Sequence, residues 1–88
     1  EIAVQTAGIV TYTVPKTIRL GNIDKAVEIM FRVNKVCDAA KIIVKSGDAQ
    51  LAAFKRERLA PGEMEHITIP KMLLQKAQDS ITISVEEG

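Results

Sequence analysis

A single cysteine, Cys37, and a single histidine, His66, occur in the 88 residues. That excludes an internal disulfide, a redox dithiol and a zinc site built from internal Cys/His ligands. Cys37 has no histidine near it in sequence to activate it, so a small buried thiol is its expected role. The five glycines stand at positions 8, 21, 47, 62 and 88, which leaves no dinucleotide fingerprint and no phosphate-binding loop. Aromatics are limited to Tyr12, Phe31 and Phe54, so no aromatic platform for single-stranded nucleic acid is available. Neither sign of charge dominates: twelve basic and eleven acidic residues leave a net charge of +1. Nucleic acid is therefore not an expected partner. No apolar run approaches the roughly 20 residues of a membrane span, and no membrane partner is expected.

What remains is a chain that is 47% hydrophobic and almost entirely aliphatic in that fraction. Its length suits one small domain, burying roughly 60–65% of the surface its unfolded form exposes. The scarcity of cysteine fits a reducing compartment, and a cytoplasmic location is expected. Glu1–Ala7 has no basic start followed by a long apolar stretch, so no signal peptide is expected. Glu1 stands where an initiator methionine would, so the chain reads as an excised fragment or a processed product, with the fragment preferred.

Residues 1–7 (EIAVQTA) are weakly patterned and read as a loose entry segment or a linker, with a single domain over 8–88. GIVTYTV then alternates, which turns Val10, Tyr12 and Val14 inward in a strand ended by Pro15. Thr17–Leu20 continues it until Gly21-Asn22. Residues 22–36 fit a helix capped by Asn22, but the strand reading is preferred. It places Val27, Ile29, Phe31 and Val33 inward and leaves Met30 as the apolar exception on the outer face.

KIIVK, the turn Ser46-Gly47-Asp48 and residues 49–57 form a predicted β-hairpin. Glu63–Ile69 follows the Pro61-Gly62 turn, with Ile67 and Ile69 inward and His66 outward. Pro70 suits the first turn of a short helix near residues 71–78, packing through Met72 and Leu73. ITISV closes the fold with Ile81, Ile83 and Val85 inward. Six or so short strands separated by turns predict an all-β, small immunoglobulin-like β-sandwich with that one helix.

Few constellations carry chemistry. His66 reads as an ordinary exposed histidine, and Glu57, Glu63 and Glu65 as solvated charges about the Pro-Gly turn. No catalytic, cofactor-binding or metal-ligating residue is assigned. The basic set Lys45, Lys55, Arg56 and Arg58 reads first as charge guarding an edge strand against aggregation. Its alternative is a surface for an acidic partner. At the turn, Pro61 and Gly62 suit a type II arrangement with positive φ at Gly62, and Leu59 and Met64 bury on either side.

Three segments carry a resemblance: Tyr12–Pro15 (YTVP), Phe31–Val33 (FRV) within VEIMFRVNKV, and Leu59–Glu65 (LAPGEME) within FKRERLAPGEME. Together they resemble the C-terminal domain of FAD-dependent pyridine nucleotide-disulphide oxidoreductases, in the branch associated with glycerol-3-phosphate dehydrogenase. The seven-residue turn is the most specific marker, and none of the three is catalytic. The resemblance implies a non-catalytic accessory domain whose parent enzyme uses FAD and NAD(P), with no cofactor held by this fragment. Its implied partner is the catalytic body of the same chain, or a partner subunit or electron-transfer protein. Met30 and one face of Ala52/Phe54 are the apolar candidates for that contact, beside Lys45, Lys55, Arg56 and Arg58. The alternative, an independent protein- or glycan-binding module, would use the basic patch alone.

Overall fold

The computed structural model describes residues 2–77 and 79–87, so Glu1, Gln78 and Gly88, at the edges of the expected linker, helix and domain, lie outside the described residues. Among the described residues eight strands follow in order: β1 (Ile2–Thr6), β2 (Val10–Val14), β3 (Thr17–Ile18), β4 (Ala26–Val33), β5 (Cys37–Ser46), β6 (Ala49–Leu59), β7 (Glu65–Pro70) and β8 (Ser80–Glu87). A 3₁₀ turn at Leu20–Asn22 and one helical turn, α1 (Lys71–Leu74), complete the elements of the described residues. The strands form a five-stranded sheet in the order β3-β1-β8-β5-β6 and a three-stranded sheet in the order β2-β4-β7. This is a small all-β sandwich with one short helix, as the alternation predicts.

The core lies between the two sheets and is aliphatic around one aromatic ring. Ile29, Phe31, Ile67 and Ile69 come from the smaller sheet, and Ile42, Val44, Ile81 and Ile83 from the larger one. Each such side chain contributes about 1.5–3 kcal/mol by leaving water. β4 settles the helix-or-strand ambiguity for strand: Ile29, Phe31 and Val33 are buried and Glu28 and Arg32 exposed. The β5–β6 hairpin closes through Gly47 at φ 61°, a left-handed conformation that glycine adopts without steric cost.

Four expectations are corrected. Ile2–Thr6 is not a linker or loose entry: β1 sits between β3 and β8, parallel to β8, and buries Ile2 and Val4. Its three apolar residues, Ile2, Ala3 and Val4, are consecutive rather than alternating, which is why its sequence pattern is weak. In β2 a bulge at Thr11 shifts the register against β4, so Thr13 rather than Tyr12 turns inward. Tyr12 is left 46% exposed. Pro70 ends β7 and caps α1 instead of opening it, and Leu74 fills the core while Met72 is exposed. Gly62 does not take a positive φ. The turn is closed by the Glu63 amide donating to the Ala60 carbonyl at 3.1 Å, and Pro61 in second place suits a type I turn.

Candidate interaction faces

A two-layer sandwich leaves one outer face on each sheet, and here the two differ in chemistry. On the three-stranded sheet, Val14, Met30 and His66 lie in register across β2, β4 and β7. Tyr12 pairs with Arg32 in the next row, and Met64 joins them around a shallow depression of about 280 Å³. The Thr11 bulge, with its hydroxyl donating to the Arg32 carbonyl at 3.4 Å, is what turns the Tyr12 ring outward. His66 is exposed as expected, its Nδ1 3.5 Å from the Glu28 carboxylate. Met30 occupies the outer position predicted for it and is half-buried between its neighbours.

The outer side of the five-stranded sheet carries Ala3, Gln5, Thr82, Ser84 and Ala53, with Ile43 on the same side but buried and lysines along the β5–β6 side. Lys41 and Lys55 stand directly opposite each other, and Lys45 lies opposite Thr82 and Gln50. A groove of about 590 Å³ opens at Lys41 and Lys55, lined also by Ala39, Ala40, Arg56 and Glu57. Ala39 adopts φ 57°, which is uncommon for a residue with a Cβ. Around it the strand alternation slips, because Cys37 and Ala40 are both buried.

The predicted basic set is therefore not one patch. Lys45 and Lys55 share the outer face of the larger sheet, while Arg56 turns the other way. The Arg56 Nε donates to Glu65 Oε1 at 3.2 Å, and its two terminal nitrogens donate to the carbonyls of His66 and Lys55 at 2.9 Å. One side chain thus ties edge strand β6 to β7 of the opposite sheet. Glu65 is not a solvated turn charge: its side chain is only 13% exposed. Arg58 pairs loosely with Asp38 at 3.9 Å, both in solvent. The edge position predicted for this charged strand holds, since β6 ends the larger sheet. Ala52 and Phe54 do not offer an outer apolar face, because both pack against the core. Leu59 is fully buried at the turn, and Met64 is half-buried beside Tyr12 and Arg32.

Cys37 is buried, its thiol 3.6 Å from Glu87 Oε1, and the same oxygen holds Lys35 Nζ at 2.6 Å. Burial first, and the Glu87 charge second, push the thiol above its ordinary pKa. Lys35 holds Glu87 below the usual carboxylate range through their hydrogen bond and charge, and Glu87 in turn raises Lys35. A thiol kept protonated in this way is a poor nucleophile. No group of three or more His, Cys, Asp or Glu able to hold a metal occurs among the described residues. No helix of the described residues is long and apolar enough to cross a membrane.

Sequence reasoning missed Lys41 and the Tyr12–Arg32–Met64 row. Both depend on strand register, and neither leaves a contiguous signal in the chain. Comparison with protein-family models, with curated proteins and with solved structures finds no match to this sequence or fold.

Proposed function

We propose that this domain is an accessory module of a FAD- and NAD(P)-dependent oxidoreductase. In this reading it carries no reaction of its own and docks the enzyme's catalytic body through the outer face of the three-stranded sheet. The observation that carries the reading is the composition of that face: Tyr12 exposed, with Arg32, Met30 and Met64 around it. Tyr, Arg and Met are the residue types enriched at the centres of protein interfaces, where lysine and glutamate are depleted. The LAPGEME turn, which carries the flavoenzyme resemblance, contributes Met64 to the same face. A cytoplasmic setting belongs to the reading and suits the free, buried Cys37.

The first test is the coding frame upstream of Glu1. A Gly-x-Gly-x-x-Gly strand-turn-helix unit in that frame supports the proposal, and a frame without one overturns it. With the body expressed separately, the 88-residue chain is expected to bind it in sedimentation velocity, and Tyr12→Ser is expected to weaken the complex at least about tenfold, as interface tyrosines do. Equal binding by Tyr12→Ser would remove this face from the proposal.

A further inference from the structure

We propose that the outer face of the β5–β6 hairpin binds an acidic segment of a protein partner. A carboxylate of that segment sits between Lys41 and Lys55, and an aliphatic neighbour covers Ala39. This site lies on the sheet opposite the face assigned above and does not depend on it. Two local irregularities converge here. Like charges directly opposite on neighbouring strands destabilise a sheet, yet Lys41 faces Lys55. Among the described residues no carboxylate comes within ion-pairing distance of either lysine, although Glu86 stands opposite Lys41 in β8. Two residues before Lys41 in β5, Ala39 holds a left-handed backbone that costs an alanine free energy. Departures of this kind concentrate where a structure serves a ligand.

The groove selects its occupant by charge and shape. Two exposed ammonium groups on adjacent strands favour one carboxylate bridging them, and the alanine floor beside them accepts an aliphatic side chain. Glu57 bounds the groove and disfavours a second acid there, while it accepts a hydrogen bond from a peptide N–H. The floor is alanine and the walls are flexible lysine stems, so a small molecule finds few fixed polar groups to orient it. An extended protein segment supplies its own neighbouring contacts. A polyanionic nucleic acid meets Glu57 and no stacking aromatic in the groove.

The test uses the ¹⁵N-labelled 88-residue chain and a blocked Gly-Glu-Leu-Gly peptide at millimolar concentration, followed by amide shifts. Shifts confined to Ala39–Lys41 and Lys55–Glu57 are expected. Replacing the peptide's glutamate with glutamine, or Lys41→Gln in the protein, is expected to weaken binding roughly two- to fivefold, the effect of losing exposed ion pairs. Lys55→Glu is expected to abolish the shifts while the amide spectrum stays dispersed. The proposal is overturned by no shift, by equal binding of the glutamine peptide, by unchanged binding to Lys55→Glu, by the same shifts from acetate at equal concentration, or by stronger shifts at these amides from an oligothymidylate.

Discussion

The outer face of the three-stranded sheet carries Tyr12, Met30, Arg32 and Met64 beside Val14, Glu28, His66 and Thr68, whereas that of the five-stranded sheet carries alanine, serine, threonine, glutamine and lysine around a buried Ile43. The first face has the bulky, weakly hydrated side chains that gain most from being covered. The second is small and flat, and its character is electrostatic: Lys41, Lys45 and Lys55 stand along one side of it. Both arise from sandwich geometry, since every strand must show solvent the side chains its core does not take. The difference teaches that a chain with a net charge near zero can still carry two unlike recognition surfaces. On this reading the smaller sheet offers contact area, and the larger offers a salt-sensitive charge pair.

The comparison requires the two sheets to be held in fixed relation, and Arg56 does this at the β6/β7 side. Arg56→Ala is therefore expected to have the largest effect, about 1–3 kcal/mol of lost stability in urea denaturation. It removes bonds to a charged group and leaves the poorly exposed Glu65 without its cation. Arg56→Lys is expected to recover only part of the loss, because an ammonium cannot reproduce the guanidinium fork. A loss below about 0.5 kcal/mol, the range of ordinary surface changes, would show that core packing alone fixes the two sheets.

The second break falls on the groove. Ala39→Gly relieves the left-handed conformation, and after the extra chain entropy glycine loses on folding it is expected to stabilise by about 0.5–1 kcal/mol. Binding of the acidic peptide should weaken in the same variant, since the methyl that floors the groove is gone. A destabilised Ala39→Gly would mean that the alanine side chain contributes packing that outweighs its backbone cost.

Much of the sandwich was legible because burial repeats every second residue: Val27 to Val33 and Ile81 to Val85 alternate cleanly and face the core. What was not legible depends on register or on contact between distant strands. β1 runs Ile-Ala-Val and then Gln-Thr, with no alternation to separate a strand from a linker. One extra residue, Thr11, reverses Tyr12, and no side-chain preference announces a bulge. Lys41 and Lys55 are fourteen positions apart in the chain and become neighbours only through the hairpin register. Arg56 sits among four charged residues in a row, and only the approach of β7 separates its role from theirs. Turn chemistry was read more finely than composition allows at Gly62, because a Pro-Gly pair serves type I as well as type II.

A third test separates stability from recognition at one residue. Lys55→Glu places opposite charges across β5 and β6, and about 0.2–1 kcal/mol of added stability is expected in thermal or urea unfolding. The same change should eliminate peptide binding. Gain and loss together would mark Lys55 as kept for recognition against the interest of the fold. A variant both less stable and binding-deficient would assign the lysine an ordinary structural role.

The smallest effect is expected at the Lys35–Glu87–Cys37 cluster, outside both faces, and it works as a control on them. Glu87 has its pKa lowered by Lys35, so its contribution is present above the unfolded carboxylate pKa and is lost as pH falls through the folded value. Lys35 has its pKa raised by Glu87, so its contribution is present below the unfolded lysine pKa and is lost only as pH rises through its folded value. Between those limits the pair adds a small, flat increment, because both side chains are about half exposed and solvent screens them. Lys35→Ala should therefore lower the neutral plateau by that small increment, and the difference from the parent should vanish as pH falls through the folded Glu87 value. Alkylation of Cys37 by iodoacetamide should stay slow at neutral pH in the folded protein, since burial and Glu87 both disfavour the thiolate. Rapid alkylation would mean that the end of β5 opens readily, and the groove at Ala39, two residues along the same strand, would then be a mobile surface rather than a formed one.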